Sequence, residues 1–144
     1  LNLDEMLSAM VLAFRQPLRS PRPSHGPRRW DDRGIVHRCI DLAEALQRRP
    51  TLSELCAVSR VSERRLRTAF ANQFDTSPAA FFRLWALTVA RRRLSDVEGS
   101  GQPVTRTSLD LGFGHLSRFA QYYQQVYGES PSVTARGSRL PDRP

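Results

Sequence analysis

The sequence of 144 residues is long enough for one domain, or for one domain with an appendage. All of its 22 basic residues are arginine, and with 14 acidic residues they leave a net charge of +8, which favours an anionic partner such as nucleic acid. No apolar run approaches the roughly 18 residues of a membrane span, and two cysteines are too few for a disulfide framework. These features predict a reduced, cytoplasmic protein with no membrane partner.

Residues 1–34 are expected to form an appendage. The apolar residues from Leu3 to Phe14 recur at helical spacing, which predicts an amphipathic helix. Arg15–Arg29 contains four prolines and no apolar periodicity, so it is interpreted as a Pro/Arg-rich linker. The helix could pack on the main domain, pair with a second chain, or be the remnant of a further domain.

Every element predicted from Trp30 onward is a helix, so the fold class is predicted to be all-α. A first helix ends before Pro50, and a capping box of Thr51 and Glu54 starts a short helix through Ala57. The later predicted elements are a helix capped by Ser62 and running through Phe74, a long helix from Pro78 to about Val97, a loop at Gly99–Pro103, helices at 103–111 and 115–127, and a short helical turn after Pro131.

An internal repeat relates two parts of this helical region. Leu55–Val61 matches Thr107–Phe113 at an offset of 52 residues, and the positions that follow match at an offset of 53, so that Leu66 corresponds to Phe119. Each copy consists of a short helix, a tight turn and a longer helix. The repeat therefore predicts two helix-turn-helix units joined by the long helix that begins at Pro78.

The longer helix of each copy is predicted to have one buried and one free face. In the first copy, Leu66, Phe70, Gln73 and Phe74 share the buried stripe, whereas Arg64 and Thr68 point away from it and Arg65 and Arg67 flank them. Glu63 and Glu54 are the acidic residues expected near these arginines. In the second copy, Ser117, Gln121 and Gln124 point outward and Arg118 flanks them, while Leu116 lies nearer the core. Such side chains reach base edges in the major groove.

The second copy also carries a family signature. Gly112-Phe113, Ser117-x-Phe119, Tyr123 and Gly128-x-Ser130-Pro131 resemble the DNA-binding domain of AraC/XylS transcription regulators, over residues 35–136. The resemblance implies a seven-helix, two-lobed fold that binds double-stranded promoter DNA through two recognition helices in adjacent major-groove segments. It also implies contact with RNA polymerase. A homodimer could form through the N-terminal helix or through an N-terminal domain absent from this sequence. Residues 137–144 are expected to be a flexible tail.

The resemblance and the helical faces together predict the DNA-binding residues. By resemblance, the base-reading positions are Arg64, Arg67 and Thr68 in the first copy, and Leu116, Ser117, Arg118 and Gln121 in the second. Leu116 could pack in the core or touch a thymine methyl. Arg65 is expected to meet a phosphate or solvent, and His115 to bind a phosphate or to cap its helix.

Several residues depart from the family pattern. Arg60 stands where the family commonly has glycine in the turn of the first copy, so a positive φ there would be strained. Asp75 replaces the glycine that Gly128 provides in the second copy. Thr107 and Ser108 replace an Ile-Ala pair and are expected to weaken packing in the second lobe. Cys56 replaces a small alanine and is expected to lie in the core.

The sequence offers no constellation for catalysis. The three histidines are scattered, and the two cysteines lie 17 residues apart without a paired ligand motif, so neither an enzyme nor a cofactor or metal site is predicted. The alternative function is a basic helical module that binds an acidic protein or RNA and does not read DNA sequence.

Overall fold

The computed structural model describes residues 31–96 and 104–137, and within these ranges the chain forms seven α-helices and no strand. The predicted N-terminal helix, the linker, the loop at Gly99–Pro103 and residues 138–144 lie outside them. The helices are α1 Asp32–Leu46, α2 Leu52–Ser59, α3 Glu63–Phe74, α4 Pro78–Ser95, α5 Val104–Asp110, α6 Leu116–Tyr127 and α7 Pro131–Gly137. The all-α prediction is therefore confirmed.

The chain divides into two compact units. Among the described residues, the first contains 31–46 and 50–82, and the second contains 47–49, 83–96 and 104–137. The division places one helix-turn-helix in each unit, α2–α3 in the first and α5–α6 in the second, as the internal repeat predicts. Helix α4 begins in the first unit and continues into the second.

The first unit is organised around an aromatic cluster. Phe70 of α3 lies 5.4 Å from Phe81 and 5.7 Å from Phe82 between ring centroids, and all three side chains are almost completely buried. Ile35, Val36 and Cys39 supply the buried face of α1. Burial of these large apolar side chains is the main stabilisation of the unit, and it fixes which face of α3 points inward.

Local hydrogen bonds set where the first two repeat helices begin. The Oγ1 of Thr51 accepts a bond of 3.2 Å from the N–H of Glu54, and the Thr51 N–H donates to Glu54 Oε2 at 2.7 Å. Ser62 Oγ accepts a bond of 3.3 Å from the Arg65 N–H. Both predicted caps are thereby confirmed, because each satisfies backbone donors that have no partner inside the helix.

The second unit has its own core, which includes residues from the segment after α1. Leu111, Phe113, Phe119 and Tyr123 are buried, and the Phe113 and Phe119 rings lie 4.9 Å apart. The guanidinium of Arg49 lies 4.2 Å from the centroid of Phe113. The same side chain donates to the carbonyl of Gly112 at 2.7 Å, so the loop between α5 and α6 is held by a residue far from it in sequence.

Three residues of the predicted core are less buried than expected. Gln73 is exposed although it falls on the same stripe of α3 as Leu66, and Phe74 is half-buried. Cys56 is half-buried, whereas Cys39 is completely buried. Helical periodicity gives the direction of a side chain, but its burial depends on whether a neighbouring element covers that part of the helix.

Candidate nucleic-acid interface

The exposed face of α3 carries three of the predicted DNA-binding residues. Arg64, Arg67 and Thr68 lie in its first two turns, and together with Glu63 they line an open depression in the surface. Their orientation follows from the opposite face, where Leu66, Ala69 and Phe70 are fully buried. The hydrophobic stripe thus forces these polar groups toward solvent.

The three side chains differ in how they are held. The Nε of Arg67 donates to Glu63 Oε1 at 3.1 Å, which lays the guanidinium along the helix by an i,i+4 pair. Thr68 Oγ1 donates to the carbonyl of Arg64 at 3.0 Å and retains its capacity to accept a hydrogen bond. Among residues 31–96 and 104–137, Arg64 has no ion-pair or hydrogen-bond partner for its guanidinium. Arg64 is therefore the cation on this face with the greatest freedom to meet an anionic ligand.

Arg65 does not join this face. Its guanidinium pairs with the carboxylate of Asp32, the first residue of α1, and its side chain is 39% exposed. The expectation that Glu63 and Glu54 are the available acids was therefore incomplete. Glu54 instead accepts the Thr51 N–H in the capping box, and Asp32 provides the missing partner. Asp32 lies 33 residues before Arg65, which is why no local pattern identifies the pair.

The exposed face of α6 carries the remaining predicted residues. Ser117, Arg118 and Gln121 are exposed, while Phe119 and Tyr123 on the opposite face are buried. In the described part of the chain, no carboxylate pairs with Arg118. Each unit therefore presents one helix whose outward side combines an arginine without an acidic partner and hydroxyl or amide groups.

The N-terminal residues of α6 settle one open alternative. The side chain of Leu116 is 42% exposed, so its interpretation as a core residue is wrong and the side chain is available for an apolar contact. His115 occupies the N-cap position with extended backbone, but its side chain makes no capping hydrogen bond. The imidazole is thus exposed beside the positive end of the helix dipole, where an anion would be favoured.

Two helix ends in the first unit have a left-handed backbone without a glycine. Arg60 ends α2 with φ 56°, and Asp75 ends α3 with φ 54°. Gly128 ends α6 with φ 71°. The first unit therefore adopts a left-handed backbone at two positions where side-chain-bearing residues replace glycine.

The described residues contain neither a group of three histidine, cysteine, aspartate or glutamate residues placed to hold a metal ion nor a helix long and apolar enough to cross a membrane. Cys39 is deeply buried, and burial raises the pKa of its thiol to about 12. Its Sγ donates weakly to the carbonyl of Leu55 at 4.0 Å. This cysteine is therefore an unreactive core residue in the folded protein.

Comparison with known proteins finds a matching family model and related sequences. The model of a helix-turn-helix domain matches residues 55–137. The chain is 36% identical over 99 residues to the XylDLEGF operon transcriptional activator 1 of Pseudomonas putida, covering 69% of this chain and 30% of that protein. It is 29% identical over 136 residues to a probable thc operon regulatory protein of Rhodococcus erythropolis, covering 91% of this chain and 39% of that protein.

A solved structure has the same fold. The crystal structure of a probable AraC family transcriptional regulator from Rhodopseudomonas palustris CGA009 matches with a TM-score of 0.65 and 33% sequence identity. The match covers 74% of this chain and 98% of that chain. The present chain thus spans a whole solved domain, but only 30% of the length of the first curated relative and 39% of that of the thc regulator.

Proposed function

The chain belongs to the AraC/XylS family of bacterial transcription regulators, and on this premise we propose that it binds promoter DNA sequence-specifically and thereby regulates transcription. In this proposal α3 and α6 are the two recognition helices, and they enter adjacent segments of the major groove. The net charge of +8 adds a sequence-independent attraction to the phosphate backbone.

The observation that carries the proposal is the matching exposed face of the two helices. Arg64 in α3 and Arg118 in α6 each lie in the first turns, are exposed, and have no carboxylate partner among the described residues. On a charged face that serves only for solvation, acidic and basic side chains usually lie next to each other and form ion pairs. Here the unpaired guanidiniums recur in both copies of the repeat, where a bidentate contact to guanine or phosphate would satisfy them.

Specific roles follow from the chemistry of each side chain. We assign base contacts to Arg64, Arg67 and Thr68 in α3, and to Ser117, Arg118 and Gln121 in α6. Leu116 offers a methyl-rich surface suited to the C5-methyl group of thymine. His115, without a capping bond at the start of α6, is suited to a backbone phosphate.

Wider features of the regulator belong to the same proposal. We propose that the DNA-bound chain contacts RNA polymerase, acts without catalysing a reaction, and works in the cytoplasm at the nucleoid. Dimerisation would involve the segment from Leu3 to Phe14, which is predicted to be helical, or a further domain. These features are proposed for a whole regulator, because the matched relatives extend well beyond the region that aligns with this chain.

Selection of binding sites from a library of random duplexes tests the proposal. The selected duplex should bind more tightly than a scrambled duplex of the same composition, and affinity should fall steeply with salt because several phosphates are neutralised. Arg64→Ala should relax the preference at particular base pairs and cost about 1–3 kcal/mol on the selected site.

Arg92→Ala provides a charge-matched control. Arg92 is exposed near the C-terminal end of α4 and outside both recognition helices. Its substitution removes the same charge as Arg64→Ala, but should weaken all duplexes alike or leave them unchanged. Equal binding of every duplex by the wild-type chain, or no binding at all, would reject the proposed function and favour a basic protein- or RNA-binding module.

A further inference from the structure

The carboxylate of Asp32 joins the start of α1 to two positions on α3. One carboxylate oxygen accepts a hydrogen bond from the guanidinium of Arg65, and the other accepts from Asn72 Nδ2 at 2.7 Å. Arg65 and Asn72 are seven residues apart, so they lie two turns apart on the same side of the helix. A single side chain of α1 therefore contacts α3 at two points and restricts its rotation about its own axis.

The pair between Asp32 and Arg65 is partly shielded from water. The side chain of Asp32 is 21% exposed and that of Arg65 is 39% exposed. Both oxygens of the carboxylate are engaged, and hydrogen bonds from Asn72 and Arg65 lower its pKa, so it is ionised at neutral pH. A phosphate could recruit Arg65 only by leaving this carboxylate without its counterion beside the negatively charged DNA.

The internal repeat provides a comparison for Arg65. Arg118 lies 53 residues later, at the same offset that relates Leu66 to Phe119, so the two arginines occupy equivalent positions in their helices. Arg118 is exposed, and no carboxylate in the described ranges pairs with it. The same residue at the same helical position is thus neutralised in one unit and available in the other.

We propose that Asp32 keeps Arg65 out of the DNA interface and fixes the rotational setting of α3, which makes Asp32 a positioning residue for Arg64, Arg67 and Thr68. The inference rests on the proposed function and deepens it, because Arg65, which the sequence analysis assigns to a phosphate or to solvent, is kept away from the DNA. Asp32 acts on specificity without touching DNA. It restrains Arg65, which would otherwise bind phosphate in any sequence, and it orients the base-reading side chains of α3.

Salt-dependent binding of the full chain to a selected duplex and to a scrambled duplex tests this inference. Arg65→Gln should leave the slope of log affinity against log salt unchanged, because no phosphate contact is lost. Arg118→Gln is the matched control and should weaken binding to the selected duplex by about 5- to 150-fold. Asp32→Asn should release Arg65, steepen the slope by about 0.9, and reduce discrimination between the two duplexes. The double variant Asp32→Asn/Arg65→Gln should restore the wild-type slope.

The readouts distinguish this inference from the proposed function. If wild-type protein does not discriminate between the duplexes, the proposed function fails. If wild-type protein discriminates but Arg65→Gln makes the salt dependence shallower by about 0.9, Arg65 contacts a phosphate and only the inference is overturned. An unchanged slope and unchanged discrimination in Asp32→Asn also overturn it. Should Asp32→Asn unfold, which thermal unfolding would detect, the comparison of Arg65→Gln with Arg118→Gln still decides.

Discussion

Asp75 and Gly128 end helices α3 and α6 with the same left-handed backbone conformation. Their φ angles are 54° and 71°, and each N–H donates to the carbonyl four residues earlier, at 2.9 Å in both helices. Only one of the two residues is a glycine, for which this left-handed conformation carries no steric penalty. The two copies of the repeat therefore share the backbone conformation that ends the helix, but only the first copy carries its steric penalty.

Asp75→Gly should stabilise the first unit by about 0.5–1 kcal/mol. The substitution relieves the left-handed strain and removes a negative charge from the C-terminal end of the helix dipole, although glycine also loosens the unfolded chain. Urea unfolding measures the change. Asp75→Asn separates the two contributions, since it removes the charge and keeps a side chain. Gly128→Ala should lose about 1 kcal/mol for backbone reasons alone, because a Cβ there would meet nothing within 4 Å. A less stable Asp75→Gly protein would refute this account.

Arg60→Gly should also raise stability, by about 0.5–1 kcal/mol. Arg60 is exposed and has a φ of 56° in the turn before α3, so glycine relieves strain without removing a buried contact. Arg60→Ala is the appropriate control, because it removes the charge and keeps the Cβ responsible for the strain. Equal midpoints for the Gly and Ala variants would show that the backbone conformation costs nothing.

Thr107→Val should stabilise the second unit by about 1–2 kcal/mol. Thr107 is completely buried in α5, and its Oγ1 has no hydrogen-bond partner among the described residues. Valine has nearly the same shape and removes the unsatisfied hydroxyl. Thermal unfolding is the measurement. The adjacent Ser108 provides a control, because its Oγ donates to the carbonyl of Thr105 at 2.8 Å and Ser108→Ala should gain nothing from removing it. A lower midpoint for Thr107→Val would contradict the prediction.

The contribution of Asp32 to stability should depend on pH in a defined direction. Hydrogen bonds from Asn72 and Arg65 lower its pKa below the ordinary value of 3.8, so the folded state favours the ionised form. The stabilisation is complete well above pH 3.8 and is lost as pH falls through the folded-state pKa. The difference in unfolding free energy between wild type and Asp32→Asn should therefore be largest above about pH 5 and shrink below about pH 4. A difference that stays constant between pH 3 and pH 7 would exclude this linkage.

The two cysteines should react at very different rates with a maleimide. Cys39 is fully buried and its thiol has a pKa of about 12, whereas Cys56 is half-buried. Because the thiolate is the reactive form, Cys56 should be labelled first in the native protein and Cys39 only after unfolding. Mass spectrometry of wild type against Cys56→Ala checks this. Rapid native labelling of Cys56→Ala would show that Cys39 is accessible.

The sequence alone determined the described helices, the caps that start α2 and α3, and the repeat, because these depend on interactions between residues close together in the chain. The Thr51 and Ser62 caps are hydrogen bonds between residues three apart in sequence. The helical periodicity that buries Leu66 and Phe119 follows from 3.6 residues per turn. For the same reason the outward direction of Arg64 and the flanking position of Arg118 could be predicted. Their roles at DNA remain predictions.

The tertiary structure decided which side chains are free and which are engaged. The sequence predicts that Arg65 meets a phosphate or solvent, whereas in the structure its guanidinium shares the carboxylate of Asp32 with Asn72. Asp32 lies 33 residues before Arg65 and 40 residues before Asn72, so no local pattern identifies either contact. Likewise, the exposure of Leu116 and the half-burial of Cys56 depend on which elements cover those parts of their helices. Periodicity fixes the direction of a side chain, whereas its partner is supplied by whatever the fold brings against it, and that information is not local.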